Sequence, residues 1–333
     1  MNYYETEIIE ELKIKITSHL NDLGLDNIRK EIIEGLSANQ KFISSKFFYD
    51  EKGSKLFEAI TQLPEYYPTR TEKKILKSIA PELMGEFKNR DIIELGSGDC
   101  SKIKILISSI PSVNLESVCY IPIDVSQSAI YESARELVET FPGLSVNGFV
   151  ADFINQLELI PAYKKRTFCF LGSTLGNFTE EVAASFLKNL CDIMHPGDTF
   201  LLGVDLVKPV ELLHVAYNDS RQVTAEFNKN ILLVINDIID TDFEPDDFEH
   251  YAFFNPQKSR IEMHLIAKKN MEILSPYAGS IIKIDKGESI HTENSCKYSL
   301  ERIKTIEEIT SLTIRKTYTD ENNWYALVLF EKI

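Results

Sequence analysis

The stretch Asp91-Ile-Ile-Glu-Leu-Gly-Ser-Gly-Asp-Cys-Ser-Lys102 packs an apolar strand, a tight turn and a helix start into one short run. Ile92 to Leu95 reads as the strand. Gly96 and Gly98 let the backbone approach a ligand where a Cβ would obstruct it, and Ser97, Asp99 and Ser101 can cap the helix that follows. The stretch also describes an ordinary strand-to-helix turn. The acidic residues downstream decide between the two.

From Asp91 onward, short apolar runs at 92–95, 118–123, 144–150, 167–171 and 199–204 alternate with helical periods at 102–110, 127–140 and 179–193. Such alternation predicts a parallel sheet covered on both faces, with ligands at the carboxyl ends of its strands. After Asp205 the alternation stops. A long helical segment from Pro209 to about Ile239 leads into an acidic loop at 240–249, then strands at 260–268 and 281–285 and a helix at 297–312. Two final strands, 313–319 and 324–330, form a terminal hairpin completing a sheet of five parallel strands. Ahead of the sheet, Ile8, Ile9, Leu12, Ile16 and Leu20 stand at helical spacing, so 5–45 reads as a helical lead-in. Helices follow at 54–63 and 71–80, with Pro64 and Pro68 bracketing a constrained loop.

With 333 residues, 44% hydrophobic and 26% charged, the chain is globular and has room for one large domain or two ordinary ones. Its net charge of -15 excludes a broad attraction to nucleic acid or to anionic membranes. The cysteines Cys100, Cys119, Cys169, Cys191 and Cys296 are odd in number and lack CxxC spacing, which argues against a disulfide framework and against a zinc knuckle. Reduced thiols in a cytoplasmic protein are expected. The acidic N-terminus reads as neither a secretory signal nor a transit peptide, and no apolar run is long enough to span a membrane. The histidines His19, His195, His214, His250, His264 and His291 show no ligand spacing and read as surface or structural.

The first strand ends in Glu94 and the glycine loop, the second in Asp124, and the third is followed by Asp152-Phe153. A carboxylate at the end of the second strand can accept both hydroxyl protons of a ribose. Asp152 suits the amino group of adenine, with Phe153 flanking the base. The loop lacks the GK[ST] of a triphosphate site and the third glycine of a dinucleotide fingerprint, so S-adenosylmethionine (SAM) is favoured over ATP or NAD. Singly, Asp124 can instead cap the next helix and Asp152 can hold a loop; at successive strand ends a ligand explains them better. The fourth strand runs into Leu171-Gly-Ser-Thr-Leu-Gly-Asn177. Asn177 can hold a carboxylate or an amine, or cap the helix beginning near Thr179.

Phe48-Tyr49-Asp50, Leu63-Pro-Glu-Tyr-Tyr-Pro-Thr-Arg70, Glu94-Leu-Gly-Ser-Gly98, Gly172-Ser-Thr-Leu-Gly-Asn177, Glu262-Met263 and Thr292-Glu-Asn-Ser-Cys-Lys297 together resemble the histidine-specific SAM-dependent methyltransferase family. The resemblance implies an α/β fold: a class I SAM-methyltransferase doubly wound sheet with a terminal β-hairpin, plus a second, discontinuous α+β substrate domain. It puts the SAM-binding domain at 71–206 with 298–333, and the substrate domain at 14–70 with 207–297. The implied activity is trimethylation of the α-amine of L-histidine to hercynine, a step of ergothioneine biosynthesis. Also implied are Asn177 and Tyr217 at the substrate carboxylate, Glu293, Ser295 and Tyr66 at the imidazole, Met263 in the pocket and Tyr49 at the amine. Cofactor contacts carry over to Gly96, Lys102, Asp124, Asp152 and Phe153.

Residues two apart on an extended segment project to one side, so Glu293 and Ser295 can serve the two nitrogens of one imidazole. Methyl transfer from a sulfonium is an in-line displacement that needs a neutral amine and no metal. Tyr49 can orient that amine, but a phenol of pKa about 10 is a weak base. The expectation is a monomer acting on a small amino-acid substrate, with neither nucleic acid nor membrane as partner. Methylation of another amine, such as tryptophan or a histidine derivative, is the enzymatic alternative, and a non-catalytic SAM or metabolite sensor the alternative of another class.

Overall fold

A computed structural model describes residues 6–9, 13–19, 24–279 and 281–333. In chain order its strands are β1 (Thr6–Ile9), β2 (Ile14–Ser18), β3 (Lys41–Phe42), β4 (Asp91–Leu95), β5 (Cys119–Asp124), β6 (Ser145–Val150), β7 (Arg166–Phe170) and β8 (Thr199–Asp205). Then follow β9 (Phe248–Asn255), β10 (Arg260–Ala267), β11 (Met271–Ile273), β12 (Ile282–Ile284), β13 (Ser289–Cys296), β14 (Leu312–Thr319) and β15 (Tyr325–Lys332). The α-helices are α1 (Leu25–Ser37), α2 (Glu51–Thr61), α3 (Tyr67–Leu83), α4 (Ile103–Ile107), α5 (Ser112–Leu115), α6 (Gln127–Thr140), α7 (Glu180–Ile193), α8 (Val210–Tyr217), α9 (Val223–Ile239) and α10 (Leu300–Ile309). The chain divides into two compact units, residues 1–20, 68–207 and 298–333, and residues 21–67 with 208–297.

The first unit is built on one sheet of order β1-β2-β6-β5-β4-β7-β8-β15-β14. Pairing is parallel from β2 through β8, and β15 runs antiparallel between β8 and β14. β4, β7 and β8 are buried along their whole length, as a parallel sheet covered on both faces requires. Strand order reverses at β4, with β5 and β6 on one side and β7 and β8 on the other. The crevice at the carboxyl end of β4 is therefore the expected ligand position of such a sheet. The terminal hairpin forms as expected, with β14 and β15 antiparallel.

The second unit has a sheet of order β3-β13-β10-β9 and a separate β11-β12 pair. β3 lies parallel to β13; β13, β10 and β9 are antiparallel. Phe48 stacks on Phe227 of α9 with ring centroids 4.5 Å apart, fixing the turn before α2 against that helix. Asp50 caps α2 by accepting the Gly53 N–H at 2.7 Å, and Asn230 of α9 donates to the same oxygen at 2.7 Å.

Several expectations need correction. Residues 6–9 and 14–18 are strands, not a helix, and β2 pairs in parallel with β6, so 14–19 belongs to the sheet unit and the parallel strands of that sheet number six among the described residues. Leu12 and Leu20 of the helical reading lie outside the described residues. The physical reason is a competing period: buried Ile14 and Ile16 flank exposed Lys15, an alternation that a β-branched run prefers to helix. The segment 209–239 is two helices because Asp219 accepts the N–H groups of Val223 and Thr224 at 2.9 and 2.8 Å, starting α9 afresh. β9 begins inside the supposed acidic loop, its pattern obscured by Glu249 and His250.

Candidate functional site

In the sheet unit, Gly96 and Gly98 both adopt positive φ, 66° and 52°. A Cβ on Gly96 would stand 3.4 Å from the Phe153 ring. Asp124, at the end of β5, accepts the N–H of Gly98 at 3.0 Å and that of Ser126 at 2.9 Å, so its carboxylate ties down the glycine loop. Burial raises its pKa, and the N–H groups pull the other way. Ser126, not Asp124, caps α6, its hydroxyl accepting from Ala129. Asp152 accepts from the Ile154 N–H and the Asn155 amide, both at 2.9 Å, so it does hold its own loop. Phe153 lies edge-on to Phe170 and Phe186 at 5.5 and 6.1 Å. Ser97, Asp99 and Ser101 do not cap α4: Asp99 instead takes the N–H and hydroxyl of Ser101. The turn is completed by Cys100 at φ 52°, which delays the helix to Ile103.

Lys102 lies 3.3 Å from the carboxylate of fully buried Glu72, which also accepts the Gly172 N–H and the Tyr325 hydroxyl, each at 2.8 Å. A Cβ on Gly172 would meet the Lys102 ammonium at 2.6 Å. Glu72 thus joins the loops after β4 and β7. Asn177 ends the turn Thr174–Asn177 and is half-buried; Thr179 caps α7 by accepting from Val182, so the capping alternative for Asn177 falls away. Beneath the glycine loop, Glu94 is 2% exposed, accepts the Tyr120 hydroxyl at 2.5 Å and is pushed up to about 8 by burial.

The second unit brings together the other candidates. Tyr49 lies edge-on to Phe57 at 5.8 Å and to Phe227 at 6.0 Å; Phe57 meets Tyr66 at 6.3 Å and Tyr66 meets Tyr217 at 6.2 Å. The Tyr217 hydroxyl is 2.6 Å from Ser295 Oγ, so one donates to the other. Buried Lys297 donates to Ser295 at 2.7 Å and to Tyr217 at 3.1 Å, with its ammonium 4.9 Å from the Tyr217 ring centroid. Glu293 and Ser295 stand in β13 opposite Met263 and Ile261 of β10. Glu293 is half-buried, and burial pushes its carboxyl up to about 7, against the pull of Lys297. The Thr292 hydroxyl donates to Asn228 at 2.6 Å and lies 3.1 Å from the Met263 carbonyl, pinning β13 to α9 and β10.

Lys297, Asn228 and Phe57 in this unit, and Glu72 in the sheet unit, hold these arrangements without having been singled out from the sequence. Lys297 closes the motif that holds Glu293 and Ser295, a signal that was available; the others lack a local pattern. His264 and His291, far apart in sequence, lie with ring centroids 4.9 Å apart.

No helix among the described residues is long and apolar enough to cross a membrane. Residues 28–332 match the family described as histidine-specific methyltransferase, SAM-dependent. The chain is 36% identical over 322 residues to the Histidine N-alpha-methyltransferase of Mycobacterium tuberculosis (strain CDC 1551 / Oshkosh), covering 96% of this chain and 100% of that protein. It is 37% identical over 310 residues to the protein of that name from Mycolicibacterium smegmatis, covering 92% and 96%. A 4-dimethylallyltryptophan N-methyltransferase of Epichloe festucae var. lolii is 26% identical over 323 residues, covering 89% and 91%. Sheet order, glycine loop and these likenesses agree: the chain belongs to the histidine-specific, SAM-dependent methyltransferase family.

Proposed function

We propose that the protein methylates the α-amine of L-histidine three times, with SAM as donor, to give hercynine. The observation that carries the reading is buried Ser295, bonded to Lys297 and Tyr217, on the same strand and face as Glu293, whose carboxyl burial pushes up to about 7. An imidazole offers one N–H donor and one acceptor nitrogen, and a carboxylate with a hydroxyl complements both; an indole offers a single N–H and would leave one partner unsatisfied. Two relatives that bear the name Histidine N-alpha-methyltransferase support the same substrate.

Tyr66 would flank the ring, Met263 line the pocket, Tyr217 take the carboxylate with the Lys297 charge behind it, and Tyr49 orient the amine. In the sheet unit, Gly96 and Asp124 would receive the ribose side of SAM, Asp152 and Phe153 the adenine, and Lys102 the neighbouring polar groups. Asn177 would offer its amide to the amino acid. The transfer itself runs from sulfonium to nitrogen without a metal: the C–S bond breaks as the N–C bond forms, and S-adenosylhomocysteine (SAH) leaves. An amine of pKa near 8 must shed a proton before each transfer, and water can take it. Holding nitrogen and methyl carbon in line supplies the acceleration. Free thiols at all five cysteines fit a reducing cytoplasm.

Calorimetric titration with SAH present tests the substrate. L-histidine should bind at least about a hundredfold more tightly than L-tryptophan, since buried polar groups left unpaired are costly. Equal or reversed affinities would overturn the reading.

A further inference from the structure

The face of the second unit's sheet formed by alternate residues of β10 carries Arg260, Glu262 and His264 in a row, and β13 contributes His291 directly opposite His264. One donor atom from each of Glu262, His264 and His291 lies within 4.8 Å of the others. The juxtaposition depends on a bulge: register shifts between Met263 and His264, so that His291 rather than Thr292 faces His264. Thr292 is turned instead toward Asn228 of α9.

Glu262 and His291 are held as metal ligands are. Arg260 donates from Nε and from Nη2 to one oxygen of Glu262, both at 2.8 Å, and Asn255 adds a third bond at 2.9 Å. The carboxylate is thereby fixed through Oε1, and Oε2 is directed at the histidines. His291 Nε2 lies 3.0 Å from the Glu293 carbonyl. A carbonyl only accepts, so Nε2 carries the proton and the lone pair sits on Nδ1, which is how histidine ligands are commonly held. His264 is 7% exposed, stacks on Phe253 at 5.6 Å and reaches Glu262 Oε2 only at 3.3 Å, while its Nδ1 is buried with no hydrogen-bond partner. A 3.3 Å gap is long for a charge-assisted hydrogen bond. Two ligand atoms each about 2.05 Å from one tetrahedral zinc ion stand roughly 3.3 Å apart. Bringing the widest pair to that spacing requires a movement of roughly 1.5 Å, within reach of the half-buried His291 ring.

We infer that Glu262, His264 and His291 form a binding site for a divalent transition-metal ion of the zinc class, which clamps β10 to β13. Two imidazoles and one carboxylate are the donor set that suits such ions, and too few oxygens are present for calcium or magnesium. The site stands on the sheet face that Glu262 shares with Asn294 rather than beside Met263 and Glu293, so the ion takes no part in methyl transfer. Its effect on the substrate strand is mechanical, through the Glu293 carbonyl that orients His291.

The test is titration of the chelator-treated full chain with Zn2+ against a chromophoric competitor, with thermal unfolding followed in parallel. One Zn2+ per chain should bind, with a rise in Tm, and His264→Ala and His291→Ala should each weaken binding by about tenfold or more. Cys191→Ser, removing a thiol of the other unit, should leave binding unchanged. Circular dichroism of the metal-free variants, matching the parent, separates loss of the site from loss of the fold; for a variant that does not match, Glu262→Gln takes its place. Absence of stoichiometric binding, or binding that survives both histidine substitutions, would overturn the inference.

Discussion

Glu293→Gln should make the protein more stable at alkaline pH and a poorer binder of histidine. The Glu293 carboxyl is pushed from 4.5 to about 7 by burial. Because the folded value exceeds the unfolded one, the proton is held more tightly in the native state. Stability is therefore full below the unfolded value and is lost as pH rises toward about 7. At about 1.4 kcal/mol per pH unit the total loss is about 3.5 kcal/mol at most, an upper bound because the residue keeps some exposed surface. Glutamine has the same shape and no charge to desolvate, so the variant escapes this loss. Urea unfolding at pH 5 and pH 8 measures it: the variant should gain up to about 3 kcal/mol relative to the parent on going from the lower to the higher pH. Histidine affinity, measured beside it, should fall by about tenfold or more, since the acceptor for the imidazole N–H loses its charge. A variant that gains nothing at pH 8 would refute the raised carboxyl, and one that binds histidine as the parent does would refute its role.

Lys297→Met should raise the KM for histidine by about tenfold or more with little change in SAM affinity, because Ser295 and Tyr217 lose a shared donor. Since Lys297 also holds Glu293 down, the pH midpoint of histidine binding should move upward in this variant; an unmoved midpoint would contradict the coupling. Asp124→Asn should weaken SAM binding in calorimetry by about tenfold to a hundredfold through lost charge-assisted bonds, with unchanged circular dichroism, and undiminished affinity would count against a cofactor role. Glu94, pushed up to about 8, makes a second contribution of the same sign as Glu293: stability is lost as pH rises toward about 8, and Glu94→Gln should flatten that slope in urea unfolding.

The sheet was legible because its determinants are local. β4, β7 and β8 each centre on an apolar run, 92–93, 168–170 and 200–202, and glycines at 96 and 98 mark the turn that the sheet needs there. The N-terminal strands were not, because Ile8, Ile9 and Ile16 also stand at helical spacing, and it is the pairing of β1 with β2 and of β2 with β6 that selects the strands. Acids at the ends of β5 and β6 were visible as types but not as contacts: Asp152 turns out to bond its own loop while Asp124 secures the glycine turn. The second unit was harder still. Asn228 and Phe57 reach Thr292 and Phe227 across long sequence separations, as Glu72 reaches Gly172 in the sheet unit, and the pairing of His264 with His291 requires a bulge that leaves no trace in spacing. Glu293 and Ser295 are proposed through a family motif, and the buried Lys297 that bonds both Ser295 and Tyr217 shows only in three dimensions.

The most direct measurement is the mass of the product formed when the purified protein is incubated with SAM and L-histidine. The account predicts a histidine heavier by three methylene units, with fragmentation placing all three on the α-amine and three SAH released per product. Histidine returned unchanged while tryptophan is methylated, or methyl groups carried on the imidazole, would contradict it.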